Sequence, residues 1–352
     1  MAKRAKTDFE KHWAFQAVFP LLIFFTIITI IIVIFSILSK EFLTAFNLLQ
    51  ALKYLANTGI VSLGLTFVVA VGKSDISFHY VSCFAGMTMS YFIGMFMGGK
   101  GIPPIPAILL GLFGGLIFGI INGIAIGKFK LPDMITTIAV GSLAWGMAYL
   151  YNGGNYIYQN FLTSGIIQFS DGKLFGWLPF PVLYLFSFYI IGYIILHCTT
   201  FGRRFYATGH NPVAASFSGI KVEHYITLAY MICSLMASFS NMLMTAAQGN
   251  GNVKGGLVLL MPAWAAVFVG ISIFKKPTVY GTFLGAFLIA IMQNGFTLMH
   301  TPYYVMDLII GITLIFAILV SRIQIKSGKV SAFKLSGKEF QLQSTSQRGI
   351  QK

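Results

Sequence analysis

Charged residues are scarce in this sequence, and acidic residues are the scarcest. Aspartate, glutamate, lysine and arginine together supply 9% of the 352 residues, whereas 57% are hydrophobic. A soluble domain carries about 25% charged residues, which it needs to cover its water-facing surface. This deficit excludes an ordinary soluble domain and predicts a chain that crosses a lipid bilayer several times.

Cysteine is almost absent as well. Three cysteines, Cys83, Cys198 and Cys233, lie in or at the edge of apolar segments and have no CxxC spacing. This pattern favours small buried side chains over disulfides or metal ligands. His79 follows Asp75 by one helical turn, so the two are spaced to hydrogen-bond, but a metal needs further ligands and none is nearby. We therefore expect no metal site.

The sequence also lacks a P-loop. Lys73 and Ser74 follow Gly72, but position 67 is phenylalanine where the GxxxxGK[ST] pattern requires glycine. Because that loop holds nucleotide phosphates, we expect the chain to hydrolyse no ATP, to bind no cofactor itself and to be no enzyme.

The positive charge does not form a patch. The formal net charge is +15, but the basic residues lie at the ends of apolar runs, which is typical of membrane topology signals. We therefore expect no nucleic-acid partner.

Long apolar segments dominate what is present. A bilayer core about 30 Å thick needs roughly 20 helical residues. The sequence predicts an all-α polytopic membrane protein with about ten transmembrane helices, at residues 17–38, 52–71, 76–97, 105–127, 134–151, 180–198, 224–247, 257–274, 279–299 and 304–322. The first run is followed by no small-residue cleavage site, which favours a retained helix over a signal peptide.

The distribution of basic residues predicts the orientation. With residues 1–16 in the cytoplasm and ten crossings of the transmembrane domain 17–322, 19 of the 24 lysines and arginines lie on the cytoplasmic side. Cytoplasmic loops carry this excess in membrane proteins, so both termini are predicted to be cytoplasmic. The polar segment 323–352 has no periodicity and is predicted to be disordered. The loop 152–179 is external, either as a platform for an outside partner or as an ordinary loop, with a short amphipathic piece near Phe161–Phe169.

A sequence echo links the fourth and ninth spans. Gly111-x3-Gly115 precedes Asn122-Gly123, and Gly281-x3-Gly285 precedes Asn294-Gly295. Spans five apart run in opposite directions, so the echo is compatible with inverted five-helix repeats. The alternative is that each GxxxG pair simply lets helices pack closely.

Few polar side chains lie within the apolar segments. Asp75 is interpreted either as part of a broken helix on a solute pathway or as an N-cap of the third span. Asp133 precedes the fifth span and is interpreted as a helix start. Asn122 and Asn294 either hydrogen-bond between helices or contact a polar solute. No acid lies deep in a span, which argues against a proton-coupled transporter.

Residues 199–223 form a compact polar island between two spans. Asn211-Pro212 predicts a helix start, because asparagine caps free N–H groups and proline suits the first helical position. Gly219 predicts the C-terminal end. Such a helix has only about two turns and is unstable alone. Val213 and Phe217 share one side, whereas Ala214, Ala215 and Ser218 leave another side low. The segment must therefore pack on its own domain, on a partner, or on both.

The run Thr200–Ile220 closely resembles the coupling segment of ribose-type ABC importer permeases. The family pattern is approximately T-x-G-R-x-x-Y-A-x-G-x-N-x-x-A-A-x-x-S-G-I. It is matched here by Thr200, Gly202, Arg203, Tyr206, Ala207, Gly209, Asn211, Ala214, Ala215, Ser218, Gly219 and Ile220. Further similarity covers the chain outside its tails and external loop, at Gly72 with Asp75–Ser77, at Asn122-Gly123, at Leu131-Pro132 with Ile135 and Thr137, and at Gly281-Thr282, Gly285 and Asn294-Gly295.

Several positions depart from the family pattern. Lys73 stands where a second glycine is typical, and Phe78-His79 replaces a Val-Gly pair. Lys275-Lys276 likewise replaces glycines, and residues 261–266 lack acids that many members carry. Bulky residues near Asp75 would keep a solute away from the backbone there, which indicates a divergent branch whose solute need not be ribose.

The resemblance implies a bacterial importer subunit for a monosaccharide or related small polar solute, in the inner or plasma membrane. It implies separate ATP-binding subunits that use ATP and Mg²⁺, an extracytoplasmic solute-binding protein and a second permease chain, identical or not. The residues implied in ATPase coupling are Gly202, Arg203, Ala207, Gly209, Asn211, Ala214, Ala215 and Gly219. The residues implied in the substrate pathway are Asp75, Ser77, Asn122, Thr137 and Asn294. The alternatives are a self-sufficient secondary transporter or channel and a non-transporting membrane scaffold.

Overall fold

A computed structural model of the chain describes residues 2–302 and 304–319, with side chains from Pro20 onward. Its longer helices are α1 (Ala2–Leu38), α2 (Ala45–Ala70), α3 (Phe78–Gly94), α5 (Pro104–Gly127), α6 (Asp133–Tyr149), α9 (Phe180–Tyr193), α10 (Thr200–His210), α12 (Val222–Gln248), α13 (Leu260–Phe274), α14 (Val279–Leu298) and α15 (Tyr304–Leu319). The short helices are α4 (Phe96–Gly99), α7 (Phe161–Ser164), α8 (Ile167–Asp171) and α11 (Pro212–Phe217). A π-helical turn at Ile194–Cys198 extends α9, and a 3-10 turn at Leu257–Leu259 precedes α13.

The predicted all-α membrane fold is confirmed. Each of the ten predicted spans coincides with a helix, and in the described residues the one sheet is the hairpin of β1 (Lys173–Leu174) and β2 (Leu178–Pro179). Seven helical segments are long and apolar enough to cross a membrane, and α15 is a shorter apolar helix. The other two predicted spans, α3 and α6, are only 17 residues long. They are short because polar segments at 71–77 and 128–132 precede them. The disorder predicted for 323–352 lies outside the described residues.

Helices α2 and α12 pack against each other at the centre of the bundle. On one side α12 packs against α5 and α3, and on the other α2 packs against α14 and α13. The pairs α3–α5 and α13–α14 also pack together. Exchanging α2 with α12, α3 with α13 and α5 with α14 leaves this set of pairs unchanged. Helices at equivalent places in the two halves of the chain therefore make equivalent contacts, as expected of two five-helix repeats.

The glycine echo does not mark equivalent surfaces of those repeats. A Cβ on Gly115 would meet the side chain of Ser238 on α12, whereas one on Gly285 would meet the carbonyl of Ala266 on α13. The exchange would place α2, not α13, opposite Gly285. Each motif therefore serves close packing with a different neighbour, which is the alternative interpretation of the GxxxG pairs.

The loop 152–179 is a folded layer attached to the bundle. The predicted amphipathic piece forms α7 and α8, with Phe161 buried and the Phe169 ring tilted against Tyr184 on α9, 5.4 Å between centroids. Lys53 on α2 pairs with Asp171 at 2.7 Å. An isolated bridge joins Ile157 in this loop to Gly251, just after the end of α12. These contacts fix the loop relative to α2, α9 and α12.

Candidate functional site

The polar island 199–223 contains two helices where the sequence predicted one. Besides α11, the segment forms α10, whose buried residues Gly202, Phe205 and Thr208 recur every three positions. That spacing is the signal that could have predicted α10, because residues three apart share a helix face.

Two glycines let α10 lie directly against neighbouring backbone. A Cβ on Gly202 would meet the carbonyl of Leu196, and one on Gly209 would meet the carbonyl of Ala70 and the amide of Gly72. Gly72 has φ +72°, a left-handed conformation that favours glycine. The end of α10 is thus in backbone contact with the α2–α3 connection.

Polar contacts connect α10 to two further elements. The Tyr206 hydroxyl donates to the Pro277 carbonyl at 2.6 Å, in the connection between α13 and α14. Burial raises the pKa of Tyr206, with the nearby Tyr280 adding to the shift, so the hydroxyl remains a donor. Arg204 donates to the hydroxyl of Tyr225 on α12 at 3.0 Å.

The predicted capping of α11 is confirmed. The Asn211 side chain accepts the Ala214 N–H at 3.0 Å. At the other end Gly219 has φ +78°, and the Ile220 N–H donates to the Ala215 carbonyl at 3.0 Å. Both ends therefore satisfy backbone groups that a short helix would otherwise leave free.

The exposed face of α11 is apolar, whereas its small-residue side is partly buried and partly exposed. Ala215 is buried, so it packs on the protein itself and is not available to a partner. Ala214 and Ser218 are exposed. Val213 is 65% exposed and Phe217 is 89% exposed. The low side predicted from Ala214 and Ala215 is therefore not one surface, and the projecting apolar side chains are the more prominent feature.

The remaining predicted coupling residues differ in exposure. Arg203 is exposed, as are Asn211 and Gly219, whereas Ala207 and Gly209 are half-buried. Gly202 is buried against Leu196. Gly202 and Gly209 therefore serve packing, and the exposed surface is contributed by Arg203 and by α11.

A buried polar cluster surrounds the α2–α3 connection. The Asp75 carboxylate accepts both the N–H and the hydroxyl of Ser77, at 2.7 and 2.6 Å. Asn122 on α5 donates to the Ser77 hydroxyl at 2.7 Å. The second Asp75 oxygen and the Asn122 carbonyl oxygen have no N–H or O–H partner among the described residues. Cys233 on α12, a weak donor, lies beside the carboxyl.

The same connection is also fastened to α6 and α12. Thr137 accepts the Ile76 N–H at 3.3 Å. Asp133 is the first residue of α6, as its interpretation as a helix start requires, and its carboxylate accepts the Ser74 N–H at 2.8 Å instead of capping the helix. The Tyr230 hydroxyl donates to the Ser74 carbonyl at 2.8 Å.

Four of the five predicted pathway residues, Asp75, Ser77, Asn122 and Thr137, therefore come together. They are all buried within the one chain. Asp75 does not bond to His79, whose ring packs on Tyr80 at 3.9 Å. The part of the chain that the structure describes contains no group of three metal-ligating side chains.

Asn294 lies elsewhere, at the opposite end of the bundle. Its amide forms a reciprocal pair with Asn47 on α2, with bonds of 2.9 and 3.0 Å. Asn47 also donates to the Phe42 carbonyl at 2.8 Å. Sequence reasoning missed Asn47, because one asparagine at the start of a helix carries no pattern that identifies a partner 247 residues away.

Comparisons with known proteins match most of the chain. A family model described as "Branched-chain amino acid transport system / permease component" matches residues 47–318. The chain is 30% identical over 295 residues to the ribose import permease protein RbsC of Bacillus subtilis (strain 168), covering 83% of this chain and 90% of that protein.

Other relatives carry related names. The ribose import permease protein RbsC of Escherichia coli (strain K12) is 26% identical over 301 residues, covering 83% of this chain and 90% of that protein. The fructose import permease protein FrcC of Rhizobium meliloti is 26% identical over 294 residues, covering 81% of this chain and 80% of that protein. No solved structure matches the chain.

Proposed function

The chain belongs to the family of branched-chain amino acid transport system permease components, and we propose that it is the membrane-spanning permease subunit of an ABC importer for a monosaccharide or related small polar solute. The relatives are named as permeases for ribose and fructose, and another for D-allose. Since these are transport components and not enzymes, the chemistry of ATP hydrolysis belongs to other subunits.

The observation that carries this proposal is the pair of helices α10 and α11. An exposed apolar side chain such as Phe217 is costly in water, and its position at the end of a capped two-turn helix is suited to insertion into a partner. Behind it, Gly209 transmits any displacement to the α2–α3 connection by backbone contact.

The partners follow from the same reasoning. An importer of the ribose type works with ATP-binding and solute-binding proteins. We assign to this one two ATP-binding subunits that use ATP and Mg²⁺ beneath α11, an extracytoplasmic solute-binding protein above the external loop, and a second permease chain beside it. The complex lies in a bacterial inner or plasma membrane, with both termini of this chain in the cytoplasm.

We propose that the buried cluster around Asp75 links ATP hydrolysis in the partner subunits to the solute pathway in this chain. Motion of α10 reaches Gly72 and then the network that holds Ser77, Asn122 and Thr137. Because these side chains are buried within one chain, they reach a solute only when the connection moves. Asn294 is placed on the pathway by resemblance, whereas its amide pair with Asn47 supports a packing role. Two discrete arrangements of the network would supply the switch between outward and inward access.

Reconstitution tests the proposal. The chain is placed in proteoliposomes with its ATP-binding subunits and solute-binding protein, and uptake of ribose, fructose and allose is followed. We expect uptake only when ATP is present on the cytoplasmic side. An adjacent coding sequence with a P-loop would identify the ATP-binding subunit beforehand.

The alternative is a self-sufficient secondary transporter or channel. It predicts uptake by the purified chain alone, driven by an ion or solute gradient. Such uptake, together with indifference to ATP and partners, would exclude the ABC assignment. A membrane scaffold would give uptake under neither condition.

A further inference from the structure

The external hairpin β1–β2 presents apolar side chains to its surroundings. Lys173 pairs with Pro179 and Leu174 with Leu178, so residues 175–177 form the tip. Phe175 is 84% exposed and Trp177 is 63% exposed. An added Cβ on Gly176, between them, would meet no atom within 4 Å. The tip therefore projects away from the rest of the chain.

The backbone conformation at the tip of the hairpin is unfavourable for the residue that adopts it. Phe175 has φ +54°, in the left-handed region. A bulky side chain is an outlier there, and glycine or asparagine would serve the turn better. Because Phe175 gains little packing within the chain, its benefit must come from outside the chain.

The hairpin stands at the outer end of a span on the edge of the bundle. Pro179 directly precedes α9, whose exposed face carries Phe186 and Ile190, and Ile194 in the following π-helical turn is exposed as well. At about 3.3 Å per residue, the tip lies within roughly 10–15 Å of the first turn of α9. Each interfacial region is about 5–8 Å thick, so the tip is near enough to the span to reach the lipid headgroups.

The charge of the hairpin matches the same environment. Lys173 is exposed and forms no ion pair with any described residue. No acidic residue occurs within 173–179, and the nearby Asp171 is bound by Lys53. Lysine beside tryptophan at a membrane boundary favours anionic headgroups, with the ring among the upper acyl chains.

From these observations we infer that the hairpin 173–179 is a lipid-binding anchor, which inserts Phe175 and Trp177 into the outer interface of the membrane and places Lys173 on anionic phosphates. The anchor fixes the outer end of α9 and, through Asp171 and Lys53, the start of α2. It is independent of which solute the protein carries and of whether ATP drives transport.

Quenching of Trp177 fluorescence tests the anchor. The full chain carries Trp13→Phe, Trp145→Phe and Trp264→Phe, which leaves Trp177 as the single tryptophan. It is reconstituted in vesicles of phosphatidylethanolamine and phosphatidylglycerol, with or without bromine on the upper acyl carbons. We expect brominated lipid to reduce the emission by about twofold and aqueous iodide to reduce it little, as for interfacial tryptophan.

A matched probe elsewhere in the same loop is the control. Tyr158 is 67% exposed, close to the value for Trp177, and it does not adjoin a span. A Tyr158→Trp probe in a chain with Trp177→Phe should be quenched by iodide and not by brominated lipid. If iodide quenches Trp177 as strongly as this probe, the tip lies in water, is free for a protein partner, and the anchor is overturned.

The contribution of Lys173 is tested separately. Acrylamide is the quencher here, because anionic lipid repels iodide from any site near the membrane. Replacing phosphatidylglycerol by phosphatidylcholine should raise acrylamide quenching of Trp177 about twofold, and Lys173→Gln should remove this dependence on lipid charge. Equal quenching in both lipids would refute the headgroup contact. If the triple tryptophan variant does not fold, the difference in emission between the wild-type chain and Trp177→Phe supplies the same measurement.

Discussion

At the scale of single residues, Gly209 shows how a sequence position can be determined by a neighbour's backbone. Its Cα lies so close to the α2–α3 connection that an added Cβ would meet the Ala70 carbonyl and the Gly72 amide. Backbone cannot move aside as a flexible side chain can. The identity of residue 209 therefore reports the contact between α10 and the membrane helices.

We predict that Gly209→Ala and the more severe Gly209→Pro uncouple ATP hydrolysis from uptake. The extra atoms force α10 away from the α2–α3 connection, at a cost of about 1–3 kcal/mol typical of overpacking. The ratio of uptake to hydrolysis in proteoliposomes should fall by about tenfold, while membrane insertion survives. Gly311→Ala on α15 is the control, because nothing lies within 4 Å of its added Cβ. Wild-type coupling in both Gly209 variants would refute the linkage.

The role of Asn294 can also be tested directly, because its hydrogen-bond partner is Asn47. Asn294→Leu leaves the side chain of Asn47 partly unsatisfied, which we expect to cost about 1–3 kcal/mol of stability. The double variant Asn47→Leu with Asn294→Leu should recover part of that loss, because neither amide is then left without its partner, and only the Phe42 carbonyl loses a donor. Thermal unfolding of the purified chain measures both.

The same variants separate packing from a role in transport. If Asn294 only packs, uptake recovers in the double variant together with stability. If uptake stays low while stability recovers, Asn294 contacts the solute, as the resemblance implies.

Among the helices, α11 begins and ends where its own neighbouring residues cap it, whereas the packing of other helices decides which of its sides is buried. Asn211 and Gly219 satisfy the terminal backbone groups, so the limits of the helix are local. Which side is buried depends on the arrangement of α10 and α12, because α11 packs on both. The sequence therefore predicted that Ala215 shares a small-residue side with Ala214 and Ser218. It could not predict that Ala215 is buried against the protein itself and unavailable to a partner.

We predict that Phe217→Ser, alone or with Val213→Ser, weakens binding of the ATP-binding subunit by about tenfold or more, as expected for apolar residues at the centre of an interface. Both side chains are exposed, so the melting temperature of the isolated chain should not fall. Ala214→Ser is the control on the same helix. By contrast, Ala215→Leu should lower the melting temperature, because Ala215 is buried. Unchanged affinity for Phe217→Ser, measured by titration in nanodiscs, would exclude α11 as the docking element.

For the whole molecule, the distribution of basic residues and the packing of the helices are two independent indications of how the chain is arranged across the membrane. Basic residues predict which connections are cytoplasmic. The packing relates the two halves by exchange around α2 and α12. The two agree where they overlap, because Gly72 and Gly209, from connections assigned to the same side by charge, are in contact.

The orientation is tested across α13, whose two ends carry lysine at positions 254 and 275–276. In a Cys198→Ser background the remaining cysteines are buried. We predict that Lys254→Cys reacts with a membrane-impermeant maleimide in intact cells, whereas Lys275→Cys reacts only after permeabilisation. The opposite labelling pattern would invert the topology and place α11 outside, which would remove the basis of the proposed function.

The membrane class, the ten helical segments, the caps of α11 and the polar residues of interest could all be predicted from the sequence. These depend on hydrophobicity and on bonds between residues close in the chain, which a linear pattern contains. Four features became known only from the packed helices: Asn294 pairs with Asn47, Asp133 accepts the Ser74 N–H, the two GxxxG motifs contact different neighbours, and Ala215 faces inward. Each of these depends on which helices become neighbours, and that is decided by the summed packing of the bundle, of which any one segment carries only a part.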